Sequence, residues 1–447
     1  MNGRSSRIVV RGGRVIDPAS RLDQVTDVVI EGDRIVRVGV TDGEAGTVID
    51  ARGAVVCPGF VDIHTHLREP GQEYKETIAS GAAAAAHGGF TTICAMPNTS
   101  PPIDNRSVVE FVQRQAQDVP VRVLVIGCVT RGRLGTELAE MGELADAGCI
   151  GFSDDGNPVV DSGLMRRALE YASAFGLPII NHPEDPSLVA GGVMHEGWVS
   201  TRLGLRGQPA AAEESMVARD IQLAELTGAQ VHLTHLSTGG SVALVRAAKL
   251  RGLRVTADVT PHHLTLSHEA ILESAGADGL AYDTNAKVHP PLRTPEDVAA
   301  CVEGLRDGTL DAVATDHAPH AVTDKQCEFD LAAPGLTGLE TALGLLLRVV
   351  ENGGLSLAAA VERLTIGPVR ALRLDRRTGE AGLGTLQAGA PADLVVFEPE
   401  GRWVVTAESL RSKGKNTPLL GAELKGRVLL ALTGGRVAFR EQGAEVG

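Results

Sequence analysis

The sequence predicts an α/β protein: a (β/α)8 TIM barrel carrying a small β-sandwich domain formed by both chain termini. Three observations support that class. From about Phe60 to about Leu374, short apolar runs with strand character alternate with Ala- and Leu-rich helical stretches, which is how repeated βα units read in sequence. Eight such runs can be counted, the number that closes a barrel. Near residues 426 to 441, GRVLLALTGGRVAFRE repeats the strand, Gly-Gly, Arg-Val pattern of VVRGGRVID near the start, so both ends are expected to build one β-domain.

Taken in order, residues 7 to 57 read as short strands broken by turns, in IVVRGGRVID, VTDVVIEGDRIVRVG and TVIDARGAVVCPG. Barrel strands are then expected in GFVDIHTH, FTTICAMPN, VRVLVIGCV, CIGFSDDG, LPIINHPE, QVHLTHLST, RVTADVTPHH and LDAVATDHAPH, and PADLVVFEPE returns the chain to β-structure. The expected division is a composite β-domain from 1–57 and 376–447 around a barrel from 58–375. A length of 447 residues fits, since it exceeds the roughly 250 of a bare barrel.

Hydrophobic residues make up 43% and charged residues 22% of the chain, ordinary for a globular protein with a sizeable core. The net charge of -14, with no run of Lys and Arg, argues against nucleic acid as a ligand. A small anionic substrate stays open, because a metal and one Arg can dominate a pocket locally. The six cysteines are scattered without a CxxC pair, so buried reduced thiols are expected rather than disulfides or a thiolate metal site. The N-terminal stretch lacks the apolar run of a signal peptide and no segment reaches the length of a membrane span. A cytoplasmic enzyme is the expectation.

In a barrel of this kind, chemistry sits where strands give way to loops at their C-terminal ends. His64-Thr65-His66 ends the first barrel strand, and residues two apart on a strand share a face and can reach one metal. Asp155, His182, His235 and Asp316 recur at later strand ends. Four His and two Asp can hold a pair of zinc ions, with a carboxylate bridging them. Of His232 and His235, three apart and facing opposite ways, His235 is the candidate because it is nearer the loop. Asp154 and Asp155 also diverge, and strand geometry does not choose between them. His87 at a helix C-terminus, His195 and His268 read as structural, while His262, His263 and His317 read as groups that orient ligands. Asp316 is the candidate to move a proton between nucleophile and leaving nitrogen. Arg68 could grip a substrate carboxylate as a fork, the alternative being a surface ion pair. The polar segment between His320 and Pro334 is expected to be a mobile lid.

With these residues assembled, the sequence resembles the class I dihydroorotases of the amidohydrolase superfamily over almost its whole length. The matching stretches are PGFVDIHTHLREPGQEYKETI, GGFTTICAMPNTSP, FSDDG, HPED, THLST, TPHHL, ATDHAPH, GLTGLETALG, ADLVVF and SKGKNTPLLG. The resemblance implies an amidohydrolase-type barrel and reversible hydrolysis of L-dihydroorotate to N-carbamoyl-L-aspartate, a step of pyrimidine biosynthesis. It implies that His64, His66 and Asp316 bind one zinc, that His182 and His235 bind the other, and that Asp155 bridges them. His66, Arg68, Asn98, His289, His320, Pro334 and Gly335 are implied around the substrate. Relatives such as hydantoinases and allantoinases bridge their metals with a carboxylated lysine, and CIGFSDDG has no lysine. Two positions depart from the family pattern: His289 stands where Asn is usual, and Pro334 where Phe is usual. The resemblance also leaves open a hydantoinase-type activity, or a non-catalytic scaffold for aspartate transcarbamoylase. The expected assembly is a homodimer.

Overall fold

The computed structural model describes residues 7–41, 46–272 and 281–442. Its centre is a ring of parallel strands. Phe60–Thr65 pairs with Phe90–Ala95, which pairs with Arg122–Val125. On the other side Ile179–Asn181, Val231–Leu233, Val255–Val259 and Ala312–Val313 pair in that order, again in parallel. The fourth expected run, CIGFSDDG, forms no extended strand but fills the gap. Phe152 bridges Gly127 on one side and Ile179 on the other, and Ser153 N donates to Gly127 O at 2.8 Å while Ile180 N donates to Phe152 O at 2.8 Å. The ring closes where Thr65 bridges His317 and His66 N donates to His317 O at 2.9 Å.

The helix Ile78–His87 shows why the sequence alternates as it does. Thr77 caps its start by accepting from Ser80 N, and its run of alanines combines strong helix propensity with side chains small enough for close packing on the barrel. His87 ends this helix and its Nδ1 lies 2.6 Å from Glu340 Oε1, a structural role as expected.

Strands from both ends of the chain form one eight-stranded sheet, in the order Arg436–Arg440, Glu423–Thr433, Leu394–Val404, Val55–Pro58, Arg7–Asp17, Leu22–Glu31 and Arg34–Val38, with Thr47–Asp50 beside Arg7–Asp17. Ile35 at one edge and Leu430 and Leu432 near the other enter the same core, so the sheet folds over on itself as a sandwich. Strand alternation divides its residues. Val56, Leu394 and Val396 face this inner core, whereas Cys57, Val395 and Phe397 join the barrel core. Phe397 tilts against Phe60 with ring centroids 6.3 Å apart, and Phe60 meets Phe90 edge-on at 5.6 Å. All six cysteines are free, five of them buried.

Because Phe397 docks the sheet onto the barrel floor, far from the strand C-termini, Phe397→Ala is expected to lower unfolding free energy by about 3–5 kcal/mol. Denaturant unfolding measures this, and KM is expected to stay unchanged. A stable variant would show that the two units dock elsewhere.

Candidate active site

Six side chains from five positions around the ring converge at its C-terminal end: His64, His66, Asp155, His182, His235 and Asp316, all buried. Interior carboxylates fix the backbone beneath them. Asp62 Oδ1 accepts from His64 N and Thr315 N, each at 3.1 Å, tying the first and last strands together. Asp258 Oδ1 accepts from His235 N at 2.7 Å, while its Oδ2 lies 2.8 Å from His232 Nε2. His232 is thereby committed to the scaffold and His235 is free for the site. Asp154 turns away, accepting from Val129 N at 2.9 Å and Thr130 N at 3.1 Å. Burial pushes the Asp62 and Asp154 carboxyls up to about 6. His235, Asp316 and Arg68 all have positive φ, of 38°, 48° and 63°, a conformation that costs such residues of order 1 kcal/mol or more and persists where the surroundings impose it.

Asp155 lies at the centre of the cluster. Its Oδ2 is 3.4 Å from both His64 Nε2 and His66 Nε2, and its Oδ1 is 3.3 Å from His235 Nε2 and 3.6 Å from His182 Nδ1. One oxygen thus faces each pair of imidazoles. Asp316 Oδ1 lies 2.9 Å from His66 Nε2 and 3.5 Å from His64 Nε2. Two sets, His64 with His66 and Asp155, and Asp155 with His182 and His235, bring their ligand atoms within 4.8 Å of one another.

The donor chemistry fits divalent metal. Asn98 Oδ1 accepts from His66 Nδ1 at 2.8 Å, which leaves the lone pair of Nε2 aimed at the carboxylate oxygens of Asp155 and Asp316. Lone pair facing lone pair is repulsive unless a cation stands between them. Both nitrogens of His64, Nε2 of His182 and Nδ1 of His235 are buried without a hydrogen-bond partner. Burial opposes charge on the imidazoles, yet the carboxylates hold His64 up to about 9 and His182 up to about 10. Burial also opposes charge on Asp155, but the surrounding histidines hold it well below the usual carboxylate range. Two buried carboxylates therefore require either extra protons or metal ions beside them.

Above the cluster opens a cavity of about 200 Å³, lined by His66, Arg68, Asn98, Asp155, His182, His289, Asp316, His320, Pro334 and Gly335 among others. Every residue expected around a substrate is there, and His64 and His235 lie beneath. Arg68 is no surface residue: it is 8% exposed, and among the described residues its side chain makes one hydrogen bond, from Nε to Pro319 O at 3.2 Å. Among the described residues no carboxylate pairs with it. Burial lowers its guanidinium only to about 10, so it stays cationic. His320 Nε2 donates to Pro334 O at 2.9 Å and Nδ1 lies 3.4 Å from Lys75 Nζ. Burial, Arg68 and Lys75 hold this ring neutral. His289 Nε2 donates to Glu184 Oε2 at 2.5 Å.

The loop expected as a mobile lid is pinned. Lys325, in the short helix Val322–Lys325, is buried and donates to Thr284 O at 3.0 Å and Lys287 O at 3.3 Å. Lys287 Nζ reaches back to Phe329 O at 2.8 Å and Asp330 O at 2.9 Å. Burial, reinforced by Lys287, pushes Lys325 down to about 7. Sequence reasoning did not single out these lysines, nor Glu184, Asp62, Asp258 or Asn416. Glu184 and Asn416 stand inside HPED and SKGKNTPLLG, where a buried polar role was the available signal.

The whole fold overlays that of an L-hydantoinase (dihydropyrimidinase) from Arthrobacter aurescens, with a TM-score of 0.85 at 26% identity, covering 98% of this chain and 96% of that one. A dihydropyrimidinase from Brevibacillus agri, 23% identical, shares the fold with a TM-score of 0.82 over 97% of this chain and 95% of its own. Fold and buried His/Asp cluster together define an amidohydrolase-class barrel. The profile of the family described as Dihydro-orotase-like matches residues 53–241. A dihydroorotase of Anaeromyxobacter sp. (strain K) is 52% identical over 444 residues, 99% of this chain and 100% of that protein. A dihydroorotase of Syntrophus aciditrophicus is 50% identical over 439 residues, 97% and 100% of the two chains. The chain belongs to the dihydroorotase family.

Because the cluster's donors fit divalent metal, removal of metal by a chelator is expected to lower the thermal midpoint, and added divalent metal to restore it. Affinity for metal is expected to fall as pH drops, because protons compete for the same nitrogens. An unchanged midpoint after complete demetallation, verified by elemental analysis, would show that the cluster holds no ion.

Proposed function

We propose that this chain catalyses the reversible hydrolysis of the cyclic amide of L-dihydroorotate to N-carbamoyl-L-aspartate, and that its cluster would hold two zinc ions, with Asp155 as the ligand they would share. Family membership makes it a hydrolase acting on a cyclic amide, with a small-molecule substrate. The observation that carries the particular substrate is Arg68: a buried guanidinium, paired with no carboxylate among the described residues, lining the cavity together with Asp155 and Asp316. Such a fork suits a ring bearing a carboxylate. The bridging position is held by an aspartate rather than a lysine, which favours this reading over a hydantoinase-type one.

His64, His66 and Asp316 would hold one ion and His182 and His235 the other. When bound, such ions supply a hydroxide nucleophile near neutral pH and polarise the amide carbonyl. The chain's own residues do the rest. Asn98 fixes the tautomer of His66 through Nδ1 and keeps its amide NH2 for the substrate. Asp316, on the cavity wall, takes a proton at its carboxylate and hands it to the ring nitrogen that leaves, so that water adds across the C–N bond. Arg68 binds the substrate carboxylate, while His289, His320 and the Pro334-Gly335 backbone line the rest of the slot.

The same proposal takes residues 1–57 with 376–447 as one unit and 58–375 as the barrel, working as a cytoplasmic homodimer that can associate with aspartate transcarbamoylase. Among the described residues no helix is long and apolar enough to cross a membrane.

Asp316→Asn is expected to lower kcat by about a hundredfold or more, since it removes both a proton carrier and a charged ligand. Steady-state assay with dihydroorotate decides this, and near-normal turnover would remove Asp316 from the role. Arg68→Met is expected to cost roughly 1.5–3 kcal/mol in kcat/KM with metal content intact. A panel of dihydroorotate, hydantoin and allantoin tests the substrate assignment itself. Preference for either of the latter two overturns it.

A further inference from the structure

The substrate side of the cavity is built by loops that no barrel strand holds together, and the stretch Arg411–Asn416 of the C-terminal region meets them. Asn416 is 5% exposed and its amide is fully engaged. Nδ2 donates to Ala318 O at 3.1 Å and to Gly335 O at 3.0 Å, Oδ1 accepts from His320 N at 2.8 Å, and its main-chain O accepts from Thr337 N at 2.9 Å. Ala318, His320 and Gly335 line the cavity. A carboxamide has two N–H donors and one carbonyl acceptor, and this one joins the loop after the last barrel strand to the segment that closes back over it.

Gly414, whose added Cβ would also lie 2.9 Å from Asn416 Oδ1, adds a second observation on the same stretch. A Cβ there would lie 2.7 Å from Pro319 Cβ and 3.0 Å from Pro319 Cα, so the backbone of this stretch presses directly on Pro319. Pro319 O is the acceptor that holds Arg68 Nε. Gly335 is equally tight, since a Cβ there would meet Ala318 Cβ at 2.7 Å. The stretch is anchored in turn: Glu76 accepts from Lys413 N at 3.1 and 3.2 Å and from the Ser412 hydroxyl, and Glu340 Oε1 accepts from Arg411 N at 2.6 Å. Among the described residues none of these bonds reaches His64, His66, Asp155, His182, His235 or Asp316.

We propose that Arg411–Asn416 is a positioning strap for the substrate wall, with Asn416 and Gly414 setting the places of Arg68, His320 and Gly335 without touching the metal cluster. The proposal rests on the substrate reading given above. It explains why a barrel whose chemistry lies on its own strand ends keeps a strand-to-strand excursion of the terminal domain packed against its catalytic face.

The test compares Asn416→Asp and Gly414→Ala with wild type in the full-length, metal-replete protein. Asn416→Asp keeps the acceptor for His320 N but sets a carboxylate oxygen against two carbonyl oxygens; Gly414→Ala keeps the carboxamide itself but pushes the strap off Pro319 and crowds Asn416 Oδ1, 2.9 Å from the added Cβ. The result expected of both is a KM for dihydroorotate raised roughly tenfold or more, kcat within about threefold, and unchanged metal per chain. Should Asn416→Asp fail to fold by circular dichroism, Gly414→Ala carries the comparison alone. A KM within about twofold of wild type in a folded variant overturns the proposal, and so does a fall in kcat that tracks lost metal. If wild type opens hydantoin rather than dihydroorotate, the substrate reading fails by itself, and the same KM comparison on hydantoin decides the strap.

Discussion

Two carboxylates, Asp155 and Asp316, lie buried among four imidazoles, and the rest of the architecture answers to that fact. Buried charge is costly unless paired. Here the imidazole nitrogens aimed at the carboxylates bring lone pairs rather than protons, at least for His66, whose proton is fixed on the far side by Asn98. A cation beside them would relieve this, and the two oxygens of Asp155 each face a different pair of histidines. Protons can also take its part, since the carboxylates hold His64 and His182 well above the ordinary imidazole range.

Keeping such a cluster assembled requires a rigid frame. Asp62 and Asp258 supply it by accepting backbone N–H groups from their own and neighbouring strands, directly under His64 and His235. His235 and Asp316 sit in left-handed backbone conformations. That strain is tolerated because closed strand pairing and buried hydrogen bonds on all sides leave no alternative. The same closure accounts for the fourth run, CIGFSDDG. It contributes a single bridging residue, Phe152, before the chain turns to aim Asp155 inward. Extended pairing is short there because the ligand comes so soon after the bridge.

What could be read from sequence follows from how local each determinant is. Strand ends are marked by apolar runs stopping at His or Asp, so the positions of His64, His66, His182, His235 and Asp316 were legible, as was the shared sheet of the two termini. The choice of Asp155 over Asp154 was not, because it depends on which of two adjacent carboxylates finds Val129 N and Thr130 N. Sequence leaves a surface ion pair as the alternative for Arg68, and its burial removes that alternative. The segment after His320 read as a lid because it is polar. Its one lysine, Lys325, is polar for the opposite reason: with Lys287 of the neighbouring loop it is a buried donor to main-chain carbonyls, and the pair tie the two loops together. Composition alone cannot distinguish a solvated lysine from a buried one.

The cavity thus has two walls with different physical origins. The metal side is made of strand ends, whose positions follow from barrel closure. The opposite wall is made of loops, which have no such closure and must be held by side chains: Lys287, Lys325 and Asn416, together with His320, whose neutral ring donates to Pro334 O. His289 belongs to neither wall alone. Its ring packs on His182, with centroids 4.6 Å apart, and its Nε2 donates to Glu184, which also accepts from Gln208. One carboxylate therefore fixes a residue of the cavity lining against a residue of the cluster. An Asn at this position would be shorter and could not both fill the space beside His182 and reach Glu184 in the same way. Replacement of the usual Asn by His289 is consequently coupled to Glu184, so a substitution at either position has to be judged in the presence of the other.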